Sequence, residues 1–214
     1  MKSKSTIELN IWISGPEGSG KTSFLLQNSF KAILGSDQIL RHTKRYKYNN
    51  RSYSFKATES YMANPTQELL KESQAILICF NMADRTSYDA VKEQINRIKE
   101  RANPETIFCL VATFNDVVDR PKISTQEVAY YCKMNNVEFA DVSCLSGYNV
   151  KEPLVKVIKA YNEKYKIGEC ELSDRGLVCI SVGTMLGFVL VLMLLMMVKE
   201  WIFPKRMGMG IEEI

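Results

Sequence analysis

The chain reads Gly15-Pro16-Glu17-Gly18-Ser19-Gly20-Lys21-Thr22, which matches the pattern G-x-x-x-x-G-K-T. An apolar run at residues 7–14 precedes it, and a helix-like stretch at residues 23–32 follows it. In that setting the backbone N–H groups of a glycine loop surround phosphate, and the start of the helix adds positive potential. Lys21 supplies charge for the β- and γ-phosphates, and Thr22 supplies a hydroxyl ligand for Mg²⁺. The stretch predicts a phosphate-binding protein; the alternative is a glycine-rich turn with no ligand.

Length and charge narrow the class of protein. The 214 residues suit one domain with an appendage, and 46% hydrophobic with 24% charged residues allow an ordinary packed core. A net charge of +4 is too small to argue for nucleic acid as a partner. The basic stretch at residues 41–51 is interpreted as a solvated strand edge, and docking to a partner or an anionic membrane surface stays open. The six cysteines show no C-x-x-C pair and no metal-ligand spacing, which indicates a reduced cytosolic domain.

Short apolar strands alternate with helical patterns between residues 6 and 166, which is typical of an α/β fold with a mostly parallel sheet. Tyr88, Val91, Ile95 and Ile98 form one helical stripe, and residues 150–161 carry another. Asn49-Asn50 predicts a tight turn between two antiparallel strands. Six strands are predicted, at residues 7–14, 45–48, 53–57, 75–80, 107–112 and 137–142.

The stretch at residues 176–198 carries no charged side chain and predicts a single C-terminal transmembrane helix. At about 1.5 Å per residue, a helix of this length crosses the hydrocarbon core of a bilayer. Because little chain follows it, we expect a tail-anchored protein whose preceding domain faces the cytosol. Gly183 and Gly187 form a G-x-x-x-G pair, which suggests a homodimer through the lipid-embedded span. The predicted division is a nucleotide-binding domain at 1–166, a linker at 167–175, the transmembrane helix at 176–198 and a short tail at 199–214.

Residues 7–166 resemble the Ras superfamily of small GTPases along nearly their whole length. Besides the phosphate loop, residues 80–88 are similar to the segment that leads into the third helix of the family. Thr113-Phe114-Asn115-Asp116 stands where the family has N-K-x-D or T-K-x-D, and Ser143-Cys144-Leu145 stands where it has S-A-K. The resemblance implies a six-stranded P-loop GTPase sandwich that binds GTP or GDP together with Mg²⁺.

A closer resemblance is to the C-terminal GTPase domain of the mitochondrial Rho (Miro) proteins. Those also have a Pro after the first loop glycine, lack a proper D-x-x-G and continue into a C-terminal membrane anchor. The resemblance covers that domain and tail, without the first GTPase domain or the EF-hands. It implies an atypical tail-anchored small GTPase that recruits cytosolic effector proteins in organelle dynamics or trafficking. The mitochondrial outer membrane is the expected location, with the endoplasmic reticulum as the alternative.

The resemblance also assigns site residues, although it assigns no catalytic residue. Asp116 is placed to accept two hydrogen bonds from guanine, whereas Phe114 replaces a Lys and weakens the preference for guanine. Thr22 and Thr43 are the predicted Mg²⁺ ligands, with Thr43 in the first switch loop. His42, the only histidine, is interpreted as a surface residue. The predicted nucleotide-binding residues are Gly15, Glu17, Gly18, Ser19, Gly20, Lys21, Thr22, Ser23, Thr113, Asp116, Ser143 and Cys144.

The hydrolytic motif of the family is eroded. D-x-x-G-Q should follow the strand at 53–57, where the chain has Ala57-Thr58-Glu59-Ser60-Tyr61. In this register Ala57, Ser60 and Tyr61 replace the Asp, Gly and Gln. Glu59 is either a substitute for the Asp or a solvated loop residue. Loss of the groups that orient the attacking water slows hydrolysis more than it weakens binding. The sequence predicts slow intrinsic hydrolysis; the alternative is a pseudo-GTPase docking module without turnover.

Overall fold

The computed structural model of the chain describes residues 6–34, 40–60, 65–114 and 123–167. The chain divides into two compact units, Met1–Lys164 and Tyr165–Ile214. The first unit is built on a seven-stranded sheet with the order β2-β3-β4-β1-β5-β6-β7. The strands are β1 (Ile7–Ser14), β2 (Lys31–Leu34), β3 (Leu40–Tyr48), β4 (Arg51–Glu59), β5 (Ala75–Asn81), β6 (Ile107–Thr113) and β7 (Glu138–Asp141). The helices are α1 (Lys21–Gln27), α2 (Gln67–Glu72), α3 (Arg85–Arg101), α4 (Thr125–Met134) and α5 (Glu152–Lys164).

The sheet is mostly parallel, which confirms the predicted α/β class. Strand β1 pairs in parallel with β4 and β5, and the parallel ladder continues from β5 to β6 and β7. Strand β3 is antiparallel to both β2 and β4. The phosphate loop follows β1, so the carboxyl ends of β4, β5 and β6 lie at the same edge of the sheet as that loop.

Apolar side chains cover both faces of the sheet. The predicted stripe of α3 is confirmed, since Tyr88, Val91, Ile95 and Ile98 are buried and belong to one cluster with Trp12 of β1. On the opposite face, α1 and α5 cover a cluster built from alternate residues of β1 and β4. Burying one large apolar side chain contributes about 1.5–3 kcal/mol. The two clusters therefore fix the positions of the strand ends that form the site.

The sheet has seven strands where six were predicted, because the first helix is shorter than predicted. Asn28 ends α1: its Nδ2 donates to Phe24 O at 3.1 Å and to Val150 O at 2.9 Å. Ser29 then adopts a left-handed φ of 57° and the chain turns into β2. The helix predicted at residues 23–32 is thus wrong in its second half, where a short apolar run fits a strand as well as a helix.

Strand β3 begins at Leu40, earlier than the predicted start at residue 45. Asn49 and Asn50 join it to β4 with φ angles of 46° and 59°. Two left-handed residues give the two-residue hairpin turn whose twist matches that of the flanking strands. The predicted turn is confirmed. The earlier start places His42 and Thr43 in a strand and not in a switch loop.

Within the described ranges, no helix is both long and apolar enough to cross a bilayer. The span predicted at residues 176–198, with Gly183 and Gly187, lies outside the described residues. So do Tyr61 and Asp116.

Candidate functional site: the phosphate loop and its cavity

The phosphate loop lies between β1 and α1, against the end of β5. Gly18 and Gly20 have left-handed φ angles of 71° and 80°, which glycine adopts without steric cost. A Cβ atom added to Gly15 would lie 2.3 Å from the carbonyl oxygen of Cys79. Glycine is therefore required at position 15 by the close approach of two backbones. The loop forms a cradle that fits phosphate.

Lys21 begins α1 and turns its side chain back under the loop. Its Nζ donates to the carbonyl oxygen of Gly15 at 2.9 Å and to that of Pro16 at 2.8 Å. Burial lowers the pKa of the Lys21 ammonium, while the carboxylates of Glu59 and Glu17 partly oppose that shift. The cation is held beside the cradle by loop carbonyls, at the position where it can reach a bound phosphate.

Glu59 ends β4, and its carboxylate faces the phosphate loop. The Thr22 hydroxyl donates to Glu59 Oε1 at 2.6 Å, and the Glu59 side chain is only 21% exposed. Ala57 is fully buried in the core. The register that placed Ala57 at the motif Asp is therefore corrected, and the interpretation of Glu59 as a solvated loop residue is wrong. Strand β4 brings Glu59 to the loop because the residue lies opposite Ile13, near the end of β1.

Thr22 and Glu59 together fit Mg²⁺. Their hydroxyl and carboxylate oxygens are hard ligands, and Mg²⁺ is usually bound by one or two carboxylates together with substrate phosphates. In the described part of the chain, no three or more His, Cys, Asp or Glu residues gather into a metal site. The remaining ligands would therefore come from the nucleotide and from water. Thr22 therefore lies where it can bind Mg²⁺, as the sequence predicts.

His42 lies in β3 on the side that faces this site. Its side chain is 12% exposed, and its Nε2 lies 3.8 Å from Glu59 Oε2. That nitrogen is buried and has no hydrogen-bond partner among the described residues. The interpretation of His42 as a surface residue is wrong. Thr43 pairs with Lys31 and Lys56, on the other side of β3 from His42, and does not line the cavity described next. The structure therefore does not bring this predicted Mg²⁺ ligand to the site, and its role stays a prediction.

These groups surround a cavity of about 530 Å³, a volume typical of small-molecule sites. Most of the predicted loop residues line it. Glu59, Ser60 and Phe114, which lie at the ends of β4 and β6, also line it, together with His42. The described residues that line it are Glu17, Gly18, Gly20, Lys21, Thr22, Ser23, His42, Glu59, Ser60 and Phe114.

Thr113 at the end of β6 supports the loop from below. Its buried hydroxyl lies 2.9 Å from the carbonyl oxygen of Ser19 and 2.8 Å from that of Phe80, and its single O–H hydrogen is shared between these two acceptors. Phe114 follows with a left-handed φ of 60° and lines the cavity. Thr113 thus acts by tying β5, β6 and the loop together. Asp116, the predicted guanine acceptor, lies outside the described residues.

The turn after β7 carries the last two predicted nucleotide contacts. Ser143 is buried, and its Oγ accepts from the backbone N–H of Ser146 at 3.0 Å and from the Ser146 hydroxyl at 2.7 Å. Cys144 is a half-buried reduced thiol beside it. Neither residue is among those that line the cavity, and the same holds for Gly15 and Ser19. Their direct contact with nucleotide stays a prediction.

Comparison with known proteins agrees with this geometry. The model of the Ras family matches residues 10–163. The chain is 25% identical to the Ras-related protein RABF2a of Arabidopsis thaliana over 85 residues, 40% of this chain and 42% of that protein. It is 22% identical to the probable Ras-related protein Rab-4A of Echinococcus multilocularis over 169 residues, 73% and 74% of the two chains. It is 24% identical to the GTP-binding protein ypt3 of Schizosaccharomyces pombe over 153 residues, 67% and 71%. The chain thus matches less than half the length of RABF2a.

Proposed function

The chain belongs to the Ras family, and from that premise we propose that it binds GTP and GDP with Mg²⁺ and hydrolyses GTP slowly. Its fold is the P-loop GTPase fold with a mostly parallel sheet of seven strands. The observation that carries the proposal is the contact between the Thr22 hydroxyl and the Glu59 carboxylate, 2.6 Å apart beside the buried Lys21. It supplies a cation site next to the phosphate cradle. Bound Mg²⁺ there would neutralise charge on the β- and γ-phosphates.

Two features support slow hydrolysis. The backbone N–H of Ser60, the residue that replaces the motif Gly in the sequence register, donates to the carbonyl oxygen of Ile13 at 3.1 Å. Its hydroxyl accepts from Trp12 Nε1 at 2.7 Å. If the motif is counted instead from Glu59, its Gly and Gln positions fall on Met62 and Ala63. In either register the chain lacks the Gln amide that orients water in the family.

The nucleotide content of the purified full chain tests the proposal. We expect guanine nucleotide to co-purify with the protein and to be lost in Lys21→Ala, but to be retained in Lys133→Ala, which removes an exposed lysine of α4. Single-turnover hydrolysis should be no faster than about 10⁻⁴ per second. A protein without nucleotide that is indifferent to Lys21→Ala would overturn the binding proposal. Fast hydrolysis without a partner would overturn the slow-turnover part alone.

We propose a membrane as the place of action. The apolar stretch at residues 176–198 supports a tail anchor that leaves the nucleotide domain in the cytosol, where it recruits effector proteins. The similarity to Rab proteins favours vesicle traffic as the process, whereas the resemblance to Miro favours mitochondrial dynamics. Imaging a fluorescent reporter fused to residues 167–214 separates the mitochondrial outer membrane from the endoplasmic reticulum. A diffuse cytosolic signal would contradict the anchor.

The second candidate function is a pseudo-GTPase that holds nucleotide without turnover and serves as a docking module. The absence of Gly and Gln from both registers of the motif favours it. Bound GTP that stays intact for many hours in the full chain, with and without cytosolic extract, would decide for this candidate.

A further inference from the structure

Strands β2, β3 and β4 form one end of the sheet, and one side of them carries a group of basic residues that do not line the nucleotide cavity. We call it the basic face. Residues two apart on a strand point to the same side, and laterally paired residues share a side. Thr43 of β3 is paired with Lys31 on one flank and with Lys56 on the other. The basic face therefore gathers Lys31 of β2, Arg41, Arg45 and Lys47 of β3 and Lys56 of β4.

Among the residues that the structure describes, no helix and no buried cluster covers this side of β2, β3 and β4. Helices α2 and α3 pack over β1 and β5 on the same side of the sheet. The buried cluster beneath them draws none of its described members from β2, β3 or β4. The opposite side of β4 is core, where Tyr53 and Phe55 are fully buried. The basic face is thus the solvent side of a half-buried sheet, and Lys31, Arg45 and Lys47 are exposed on it.

Most of this charge is not balanced. Lys56 is the exception, because it forms an ion pair with Glu8 at 2.7 Å. Arg41 and Lys56 also line a cavity with Glu68 and Glu72 of α2, which offsets part of their charge. Within the described part of the chain, Lys31, Arg45 and Lys47 form no ion pair. The positive potential is therefore greatest at the C-terminal half of β3, around Arg45 and Lys47.

The side chains of the basic face suit a partner whose negative charge is spread over a surface. Between the cations lie small polar side chains, Thr43, Ser52, Ser54 and Thr58, and the only apolar one among the described residues is Ile33 at the rim. Protein interfaces need a buried apolar or aromatic anchor at their centre. Long cations on a flat surface bind a charged bilayer without one. We propose that the basic face docks onto the anionic headgroup surface of a phospholipid membrane.

Docking in this way leaves the nucleotide site open. His42, which lines the cavity, alternates with Arg41 and Thr43 and so points to the other side of β3. The bilayer and the nucleotide thus use opposite sides of one strand. The proposal does not rest on nucleotide binding, so the Lys21→Ala variant should dock as the natural chain does.

Lysine footprinting of the full chain on nanodiscs tests the proposal. The discs contain phosphatidylcholine alone or with about a quarter phosphatidylserine, and an amine-reactive ester labels lysines for mass spectrometry. We expect labelling of Lys31 and Lys47 to fall at least threefold with phosphatidylserine, while Lys133 and Lys159 stay unchanged. Because salt screens such contacts, about 0.5 M NaCl should restore the labelling. The labelling on discs with phosphatidylserine is compared with that on discs without it, so the result does not depend on how the chain is attached to the disc.

Matched charge reversals separate the basic face from overall charge. Arg45→Glu should abolish the protection of Lys47, whereas Lys159→Glu on α5, with the same change in charge, should preserve it. Labelling that is insensitive to phosphatidylserine would overturn the proposal. The basic face would then be exposed to solvent or would bind an acidic protein. Equal protection of Lys133, or equal loss in the Lys159 variant, would also overturn it, because binding would then be non-specific.

Discussion

The Thr22 hydroxyl and the Glu59 carboxylate meet at 2.6 Å across 37 residues of sequence. The contact joins the residue after the loop lysine to the end of β4, at the edge of the sheet where nucleotides bind in such folds. The contact places a carboxylate beside the loop, two residues after Ala57, the position that the sequence register gave to the motif Asp.

Glu59→Gln should weaken the effect of Mg²⁺ on nucleotide retention, because the amide keeps the shape of the side chain but removes its charge. We expect GDP to dissociate about tenfold faster in Mg²⁺, equivalent to about 1.4 kcal/mol. In EDTA the variant and the natural chain should release GDP at the same rate. Stopped-flow release of a fluorescent GDP measures both. Glu68→Gln on α2 is the control, and equal acceleration in EDTA would assign Glu59 a purely structural role.

Thr113→Val should loosen the support of the loop, since valine has the same shape but donates no hydrogen bond to Ser19 or Phe80. Leaving these buried carbonyl groups with fewer donors should cost about 1–2 kcal/mol in the free energy of unfolding. Urea denaturation measures that loss. Thr113→Ser retains the hydroxyl and should recover most of the stability. A valine variant as stable as the natural chain would show that the contact does not hold the loop.

Gly15→Ala and Gly18→Ala should differ sharply although both lie in the loop. A Cβ on Gly15 would sit 2.3 Å from the backbone oxygen of Cys79, whereas nothing lies within 4 Å of one on Gly18. We expect Gly15→Ala to cost about 3 kcal/mol and to lose bound nucleotide. Gly18→Ala should cost about 1–2 kcal/mol, the strain of a left-handed alanine. Thermal melting of the two variants side by side gives the comparison, and equal losses would contradict it.

Cys144 should react first among the described cysteines. Burial raises the pKa of Cys79 and of Cys132 to about 12, so both are protonated and inaccessible at pH 8. Cys144 is half-buried and is one of the predicted nucleotide contacts. We expect iodoacetamide to modify it at least tenfold faster than Cys79, as read by mass spectrometry of peptides.

Bound nucleotide provides the control for that labelling. GDP with Mg²⁺ should slow modification of Cys144 in the natural chain and have no effect in Lys21→Ala. If GDP does not slow the labelling of Cys144 in the natural chain, the thiol is not a nucleotide contact.

The phosphate loop was predictable because its glycines, lysine and threonine sit at fixed spacing after a strand. The stripe of α3 was predictable too, since Tyr88, Val91 and Ile95 repeat with the period of a helix and nothing interrupts them. Strand β2 was not, because its apolar residues continue the pattern of α1. The break between them depends on Asn28, whose side chain bonds to Val150 far along the sequence. No local pattern reports such a contact.

Glu59 and His42 show a second limit of the sequence. Motif spacing assigned the metal carboxylate to Ala57, but the strand register places Glu59 at the loop. His42 has basic neighbours in sequence, which favour a surface position, yet its side chain is only 12% exposed and lies beside Glu59. In both cases the position depends on pairing between strands, which composition and periodicity do not encode.

Strand β2, at the edge of the sheet, should detach locally before the rest of the domain unfolds. All four side chains of β2 are exposed, and none of its described residues joins either buried cluster. Its attachment therefore rests on the backbone ladder to β3. Detaching β2 exposes almost no apolar surface, so its amides should exchange with deuterium through local opening, whereas those of β1 and β5 should exchange only on global unfolding. Strand β3, whose His42 lines the cavity, would then repeatedly become the outermost strand while the rest of the domain stays folded.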